Sequence, residues 1–198
     1  MIIAIEGIDG AGKNTLVTAM QRETGAAALA FPRYETSIHA QLAREALDGK
    51  MGDLTDSAYA MATLFALDRA GVADRLREYR SSSRVIILDR YVASNAAYSW
   101  ARTGEQGIVD WVANLEFGTL GLPRPDLQIL LDTDPAEAGR RASKRAETNA
   151  NRALDAYERD DSLQQRTYDA YLALAGQQWE SEWLIGHEVA DVMSRIPR

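Results

Sequence analysis

Cysteine is absent from the 198 residues. Disulfides and thiolate metal sites are therefore excluded as sources of stability or chemistry. Histidine occurs only at His39 and His187, and nothing around either links it to chemistry. Positive charge is also short: 22 Lys and Arg against 29 Asp and Glu leave a net charge of -7. A nucleic acid polymer needs a basic face to grip its backbone, so that class of partner is not expected. Single nucleotides stay open, because they need only a few local cations. No apolar run approaches the roughly 18 residues of a membrane span. The opening Met1-Ile2-Ile3-Ala4-Ile5-Glu6 is too short for a secretory signal and has no basic leader. The expectation is a cytoplasmic protein with no membrane partner.

What is present is ordinary globular material, 46% hydrophobic and 26% charged, without repeats, low-complexity tracts or linkers. Residues 1–198 read as one domain. Apolar runs without alternation, at 2–5, 26–31, 85–88, 127–131 and 183–185, suit strands covered on both faces. Helical patterns separate them, which predicts a doubly wound α/β fold with a five-stranded parallel sheet and helices on both faces. One long central helix is expected from Thr55 to about Tyr79. A stripe of Leu154, Tyr157, Tyr168, Tyr171 and Leu174 reads as core. Asp134-Pro135-Ala136-Glu137 reads as a helix start, with Asp134 as cap and Glu137 reaching back to it.

Gly7-Ile8-Asp9-Gly10-Ala11-Gly12-Lys13 follows the first strand and opens a helix. It fits seven of the eight positions of the phosphate-loop (P-loop) pattern. The glycines let successive N–H groups turn toward phosphate oxygens, the helix N-terminus adds partial positive charge, and Lys13 supplies a full one. The eighth position departs from the pattern. A hydroxyl that would ligate magnesium is replaced by Asn14, and Thr15 follows one residue later, about 100° around a helix. Magnesium keeps several waters and few protein ligands, so metal geometry is in question rather than nucleotide binding.

The apolar strand at 85–88 ends in Asp89-Arg90-Tyr91. Ligands of open α/β sheets bind at carboxyl ends of strands, which places these residues beside the phosphate loop. A carboxylate there can orient magnesium or its waters, and an arginine can clamp a phosphate.

These motifs, together with Phe31-Pro32-Arg33-Tyr34, Phe65-Ala66-Leu67-Asp68-Arg69, the run Asp89 to Tyr98, and Tyr157-Glu158-Arg159, occur in an order that resembles bacterial thymidylate kinases, closest to the actinobacterial form. The resemblance spans nearly the whole chain. It implies a P-loop NTPase fold, ATP and Mg2+, dTMP as the acceptor and a homodimer. It also implies roles. Gly7, Ile8, Asp9, Gly10, Ala11, Gly12, Lys13, Asn14 and Thr15 would bind ATP. Lys13, Arg90 and Arg145 would be catalytic. Asp9 and Glu158 would serve the metal, and Asp9 would also approach the sugar 3′-hydroxyl of the acceptor. Phe31, Tyr34 and Arg90 would lie at the acceptor, Phe65 would stack on thymine, and Arg69 and Asn95 would hydrogen-bond it. Tyr98 would favour deoxyribose, Tyr157 would close the site, and residues from about 139 to 151 would form a lid. Taken alone, Phe65 and the tyrosines equally suit core packing, Asn95 a local cap, and the lid cations a solvated face. Two further departures stand out: residues 16–26 are short for such a family, and Asn14 stands where some relatives carry a catalytic arginine. The alternatives are a deoxynucleoside kinase and a catalytically weak nucleotide-binding protein. No Asn-Lys-x-Asp run supports a GTPase.

Overall fold

A computed structural model describes residues 1–148 and 155–186, with side chains to residue 144 and from 155 onward. Five parallel strands, β1 (Ile2–Glu6), β2 (Ala27–Ala30), β3 (Ile86–Asp89), β4 (Leu127–Leu130) and β5 (Glu182–Ile185), form one sheet in the order β2-β3-β1-β4-β5. β1 and β4 are buried along their whole length, which explains their unbroken apolar runs. The alanine-rich β2 sits at the edge, where weak strand propensity is tolerated.

The register brings the carboxyl ends level: Ile5 and Ala30 both lie opposite Asp89, and Glu6 lies opposite Leu130. From β1 the chain crosses to β2 on one side; from β3 it crosses to β4 on the other. Right-handed crossovers in opposite directions put their helices on opposite faces and open a crevice above β1 and β3.

The helices are α1 (Lys13–Thr24), α2 (Ile38–Leu47), α3 (Ala58–Ala70), α4 (Ala73–Arg80), α5 (Val92–Thr103), α6 (Gly107–Ala113), α7 (Pro135–Thr148) and α8 (Asp161–Gly176). The long helix expected from Thr55 to Tyr79 is in fact a short turn, Leu54–Asp56, followed by two helices. Ser57 caps α3 by accepting from the Ala60 N–H, and Gly71 and Val72 separate α3 from α4. Continuous apolar periodicity hid the break, where Gly71 keeps right-handed backbone (φ -60°) and Val72 (φ -128°) departs from it. The expected tyrosine stripe is also divided. Tyr171 and Leu174 are buried on α8, but Tyr157 lies in a turn before that helix, and Leu154 is outside the described residues. Asp134 does cap α7, accepting from the N–H groups of Ala136 (3.0 Å) and Glu137 (3.1 Å). Glu137 does not reach back. Its carboxylate pairs instead with Arg140 and with Arg141 at 2.9 Å, because basic residues three and four positions on compete for it.

α7 packs directly on the phosphate loop. At Gly10, with φ of +83°, a β-carbon would lie 2.0 Å from the Ala138 carbonyl oxygen, whereas at Gly12, with φ of +99°, it would meet nothing. Gly10→Ala should therefore cost at least about 3 kcal/mol, from steric clash added to left-handed strain. Gly12→Ala should cost only about 1–2 kcal/mol, from backbone strain alone. Urea denaturation of both variants checks the order; equal losses would contradict the packing.

Candidate active site

Above the level strand ends lies one cavity of about 1280 Å³. That exceeds the roughly 300–1,000 Å³ typical of a single small-molecule pocket, so two ligands can share it. The phosphate loop lines one end through Asp9, Gly10, Gly12, Lys13, Asn14 and Thr15. Phe31, Tyr34, Phe65, Arg69, Asp89, Arg90, Asn95, Tyr98, Tyr157 and Glu158 line the rest. Thus most residues expected at the site converge on a single space. Gly7, Ile8 and Ala11 shape the loop without lining the cavity; Ile8 is buried beneath it. Arg145 lies on α7, its side chain outside the described residues, as are residues 149–151 of the expected lid. From the same helix Arg141 and Ala142 do line the cavity.

Lys13 folds back over the loop, donating to the carbonyls of Gly7 (3.1 Å) and Ile8 (2.8 Å). Burial and the neighbouring Arg90 guanidinium pull its ammonium down to about 8, against the opposing pull of Asp9, Asp89 and Glu6. Asn14 and Thr15 are both exposed at the start of α1 and line the cavity, so each can present oxygen there.

Arg90 is the hub of the middle of the site. Its backbone is left-handed (φ 67°), uncommon for a residue with a side chain and held in place only by its surroundings. Its Nη2 donates to Asp9 at 2.6 Å, and its Nη1 to Ser94 (3.2 Å) and the Tyr171 hydroxyl (3.3 Å). The Tyr98 hydroxyl donates to the other Asp9 oxygen at 2.7 Å. Burial raises the Asp9 carboxyl, but Arg90, Lys13 and Tyr98 outweigh it and hold the group far below the usual carboxylate range. Burial and Asp9 together push the Tyr98 phenol well up. Tyr98 also lies under Arg90, 5.3 Å from ring to guanidinium carbon, and stacks on Tyr157 at 6.1 Å. Arg102 pins Tyr157 from the far side, donating to its hydroxyl at 2.6 Å.

The donor set fits a magnesium ion. Asp9, Asp89 and Glu158 bring hard carboxylate oxygens to the same cavity as Lys13, and Asp9 is held ionised. Among the described residues no three acidic or histidine side chains form a closed cage. Magnesium does not need one, since it binds through one or two carboxylates, waters and substrate phosphates.

At the opposite end, Asn95 is buried in the middle of α5 and is no helix cap. Arg69 is buried as well, paired with the fully buried Glu116. Asp68, next to Arg69, receives both the backbone N–H (2.9 Å) and the Nε (3.0 Å) of Arg33. Phe65 is half-buried between this polar wall and the cavity.

Sequence reasoning missed Glu6, Glu116, Ser94 and Tyr171. Glu6 ends the apolar first strand, and Glu116 interrupts an apolar helical pattern with Val109, Val112 and Phe117. A lone carboxylate in such a run is the available signal, because buried carboxylates are rarely left unpartnered. Glu6 accepts from the Tyr91 N–H (2.8 Å), Ser94 (2.6 Å) and Tyr171 (3.2 Å). Burial raises its carboxyl against these hydrogen bonds and the charge of Arg90.

The family model described as thymidylate kinase matches residues 5–196. Thymidylate kinase of Mycobacterium tuberculosis is 52% identical over 193 residues, covering 93% of this chain and 90% of that one. A probable thymidylate kinase of Thermococcus onnurineus is 32% identical over 184 residues, covering 88% and 84%. Among solved structures, thymidylate kinase from Candida albicans superposes with a TM-score of 0.74 at 23% identity, covering 98% of this chain and 88% of that one. Deoxyadenosine kinase from M. mycoides gives 0.65 at 18% identity, covering 99% and 95%. Both structural likenesses speak to the fold alone.

Glu6→Leu would strand the buried Tyr91 N–H and leave the Ser94 and Tyr171 hydroxyls, 2.6 Å apart, with one acceptor fewer than they have protons to donate. The expected loss is about 2–4 kcal/mol in denaturant titration. A loss under about 1 kcal/mol would show that these groups find other partners.

Proposed function

The chain belongs to the thymidylate kinase family, and from that premise we propose that it transfers the γ-phosphate of ATP to dTMP, yielding ADP and dTDP in the supply of dTTP. The observation that carries this reading is the single cavity with a phosphate loop at one end and the Phe65, Arg69 and Asn95 wall at the other. The loop N–H groups and Lys13 hold the donor's β and γ phosphates. Arg90, at the level of Asp89, holds the acceptor phosphate beside them, with Phe31 and Tyr34 at the same wall. Phe65 stacks on the base, and Arg69 and Asn95 bind its polar edge. Tyr98, fixed on Asp9, crowds the sugar and favours deoxyribose. Tyr157 closes over Tyr98, and Arg145 on α7 stabilises charge on the transferring group as the lid segment, about 139–151, covers the site.

The acceptor phosphate brings its own anionic oxygen, so no general base is required and catalysis rests on alignment and charge. This is also why dTMP is favoured over an unphosphorylated nucleoside. A hydroxyl acceptor needs a base, and Asp9 is already engaged by Arg90 and Tyr98, which hold its carboxyl below the usual carboxylate range. Asp9 and Glu158 would hold magnesium, which would supply positive charge to offset that of the substrate phosphates. The reading extends to a cytoplasmic homodimer. Among the described residues no helix is long and apolar enough to cross a membrane. On α3, Tyr59 stays 43% exposed beside Trp111, and sedimentation equilibrium tests that face.

Two measurements test the function. ADP formation with ATP and magnesium should be strong with dTMP, weaker with dUMP and absent with thymidine; turnover with thymidine would overturn the assignment. Lys13 with a value near 8 is charged below that pH and neutral above it. The kcat/KM for ATP, which reports the free enzyme, should then fall as pH rises through about 8, while kcat holds to higher pH because bound phosphates favour the charged lysine. A kcat/KM flat to about pH 10 would remove Lys13 from ATP capture.

A further inference from the structure

The polar wall at the base end owes its shape to a residue that does not line the cavity. Glu116, fully buried, lies in a π-helical turn, Asn114–Thr119, marked by a bond from the Leu120 N–H to the Leu115 carbonyl at 2.8 Å. Such wide turns concentrate at functional sites. Its Oε2 accepts from Arg69 Nε at 2.5 Å. Its Oε1 accepts from Arg69 Nη2 at 2.7 Å and from Asn95 Nδ2 at 2.8 Å. The same Asn95 nitrogen donates to the Ala62 carbonyl at 2.9 Å.

Both partners of that amide edge, a carboxylate and a peptide carbonyl, are acceptors only. The NH2 end of Asn95 must therefore face them, and its carbonyl oxygen is left for the cavity it lines. On Arg69 the carboxylate takes Nε and Nη2 and leaves Nη1. One buried carboxylate thus fixes an acceptor on Asn95 and a donor on Arg69 at the same wall.

We propose that Glu116 is the positioning residue that sets base selectivity, by locking Asn95 and Arg69 into an acceptor and donor pair that matches a pyrimidine ring N–H beside a carbonyl. The inference rests on the thymidylate kinase reading above. Thymine offers that pattern at N3 and O4; cytosine offers its inverse, a bare ring nitrogen beside an amine. Glu116 touches neither substrate and acts only through its two partners.

The test is steady-state kinetics of the full chain with ATP and either dTMP or dCMP, for wild type, Glu116→Gln and Glu116→Asp, with thermal unfolding of each. Glutamine keeps the shape but turns an N–H toward a donor. The expected result is a rise in KM for dTMP of about tenfold or more and a fall of about tenfold in the dTMP-over-dCMP ratio of kcat/KM, with KM for ATP within about twofold of wild type. An unchanged ratio in the folded variant would overturn the role. So would equal losses for ATP and both monophosphates, the mark of a merely structural residue. Should Glu116→Gln not fold, Glu116→Asp decides by the same criteria, because it keeps the charge on Arg69 while withdrawing the carboxylate by one methylene. A wild type idle on dTMP would overturn the underlying reading; a selective wild type whose variants stay selective would overturn only Glu116.

Discussion

A carboxylate with no access to water, Glu6, joins the parts on which the site depends. It sits at the last position of β1, directly before the phosphate loop, and accepts from the backbone just beyond β3, from α5 and from α8. The same Ser94 and Tyr171 that bond Glu6 also bond Arg90. The left-handed backbone at Arg90 is strained for a residue with a side chain. It persists because its neighbour's N–H is claimed by Glu6 and its guanidinium is claimed from three sides. Sheet edge, helix and arginine are therefore set by one desolvated group, whose burial would be costly without those hydrogen bonds.

Charge in the site is arranged to be tight before any ligand arrives. Lys13 and Arg90 line the same cavity and repel one another, which is part of why the lysine is depressed. Asp9 sits between them and absorbs that excess, held ionised by both. In the proposed reaction an entering polyanion would take the place of the loop carbonyls at Lys13 and compete with Asp9 for Arg90. The cations are thus held in place by protein acceptors at the position where the proposed reaction needs them.

The sheet, its parallel sense and the crevice were legible because they follow from unbroken apolar runs alternating with helical periods. The phosphate loop was legible because it is local: seven consecutive residues carry it. The Asp89-Arg90 pair was legible because a strand end announces itself. What escaped reading was contact between residues far apart in sequence. Glu6 lies 165 residues from Tyr171, and Arg69 lies 47 from Glu116, and no spacing rule connects either pair. The break at Gly71 escaped because α3 and α4 both face the core, so apolar periodicity runs on through the gap. Glu137 was misread for a different reason: a capping box and an i, i+4 ion pair compete for one side chain, and here Arg140 and Arg141 prevail.

Glu6 and Glu116 can be seen as two instances of one device. Each is a fully buried carboxylate that grips an arginine's surroundings, one at the phosphate end and one at the base end. A buried ion pair is weak evidence for stability, since well-packed apolar residues often do as well. Geometry is what such a group supplies that an apolar residue cannot. It limits which atoms of Arg69, Asn95 and Arg90 remain to face the cavity. The strand ends, α5 and α8 are joined through these bonds, while on α7 the exposed Arg140 and Arg141 pair with Glu137 of the same helix, and Ala138 meets the loop at Gly10. Recognition in the proposed reaction thus rests on a floor whose facing atoms are set by two buried carboxylates, with α7 seated directly on the phosphate loop.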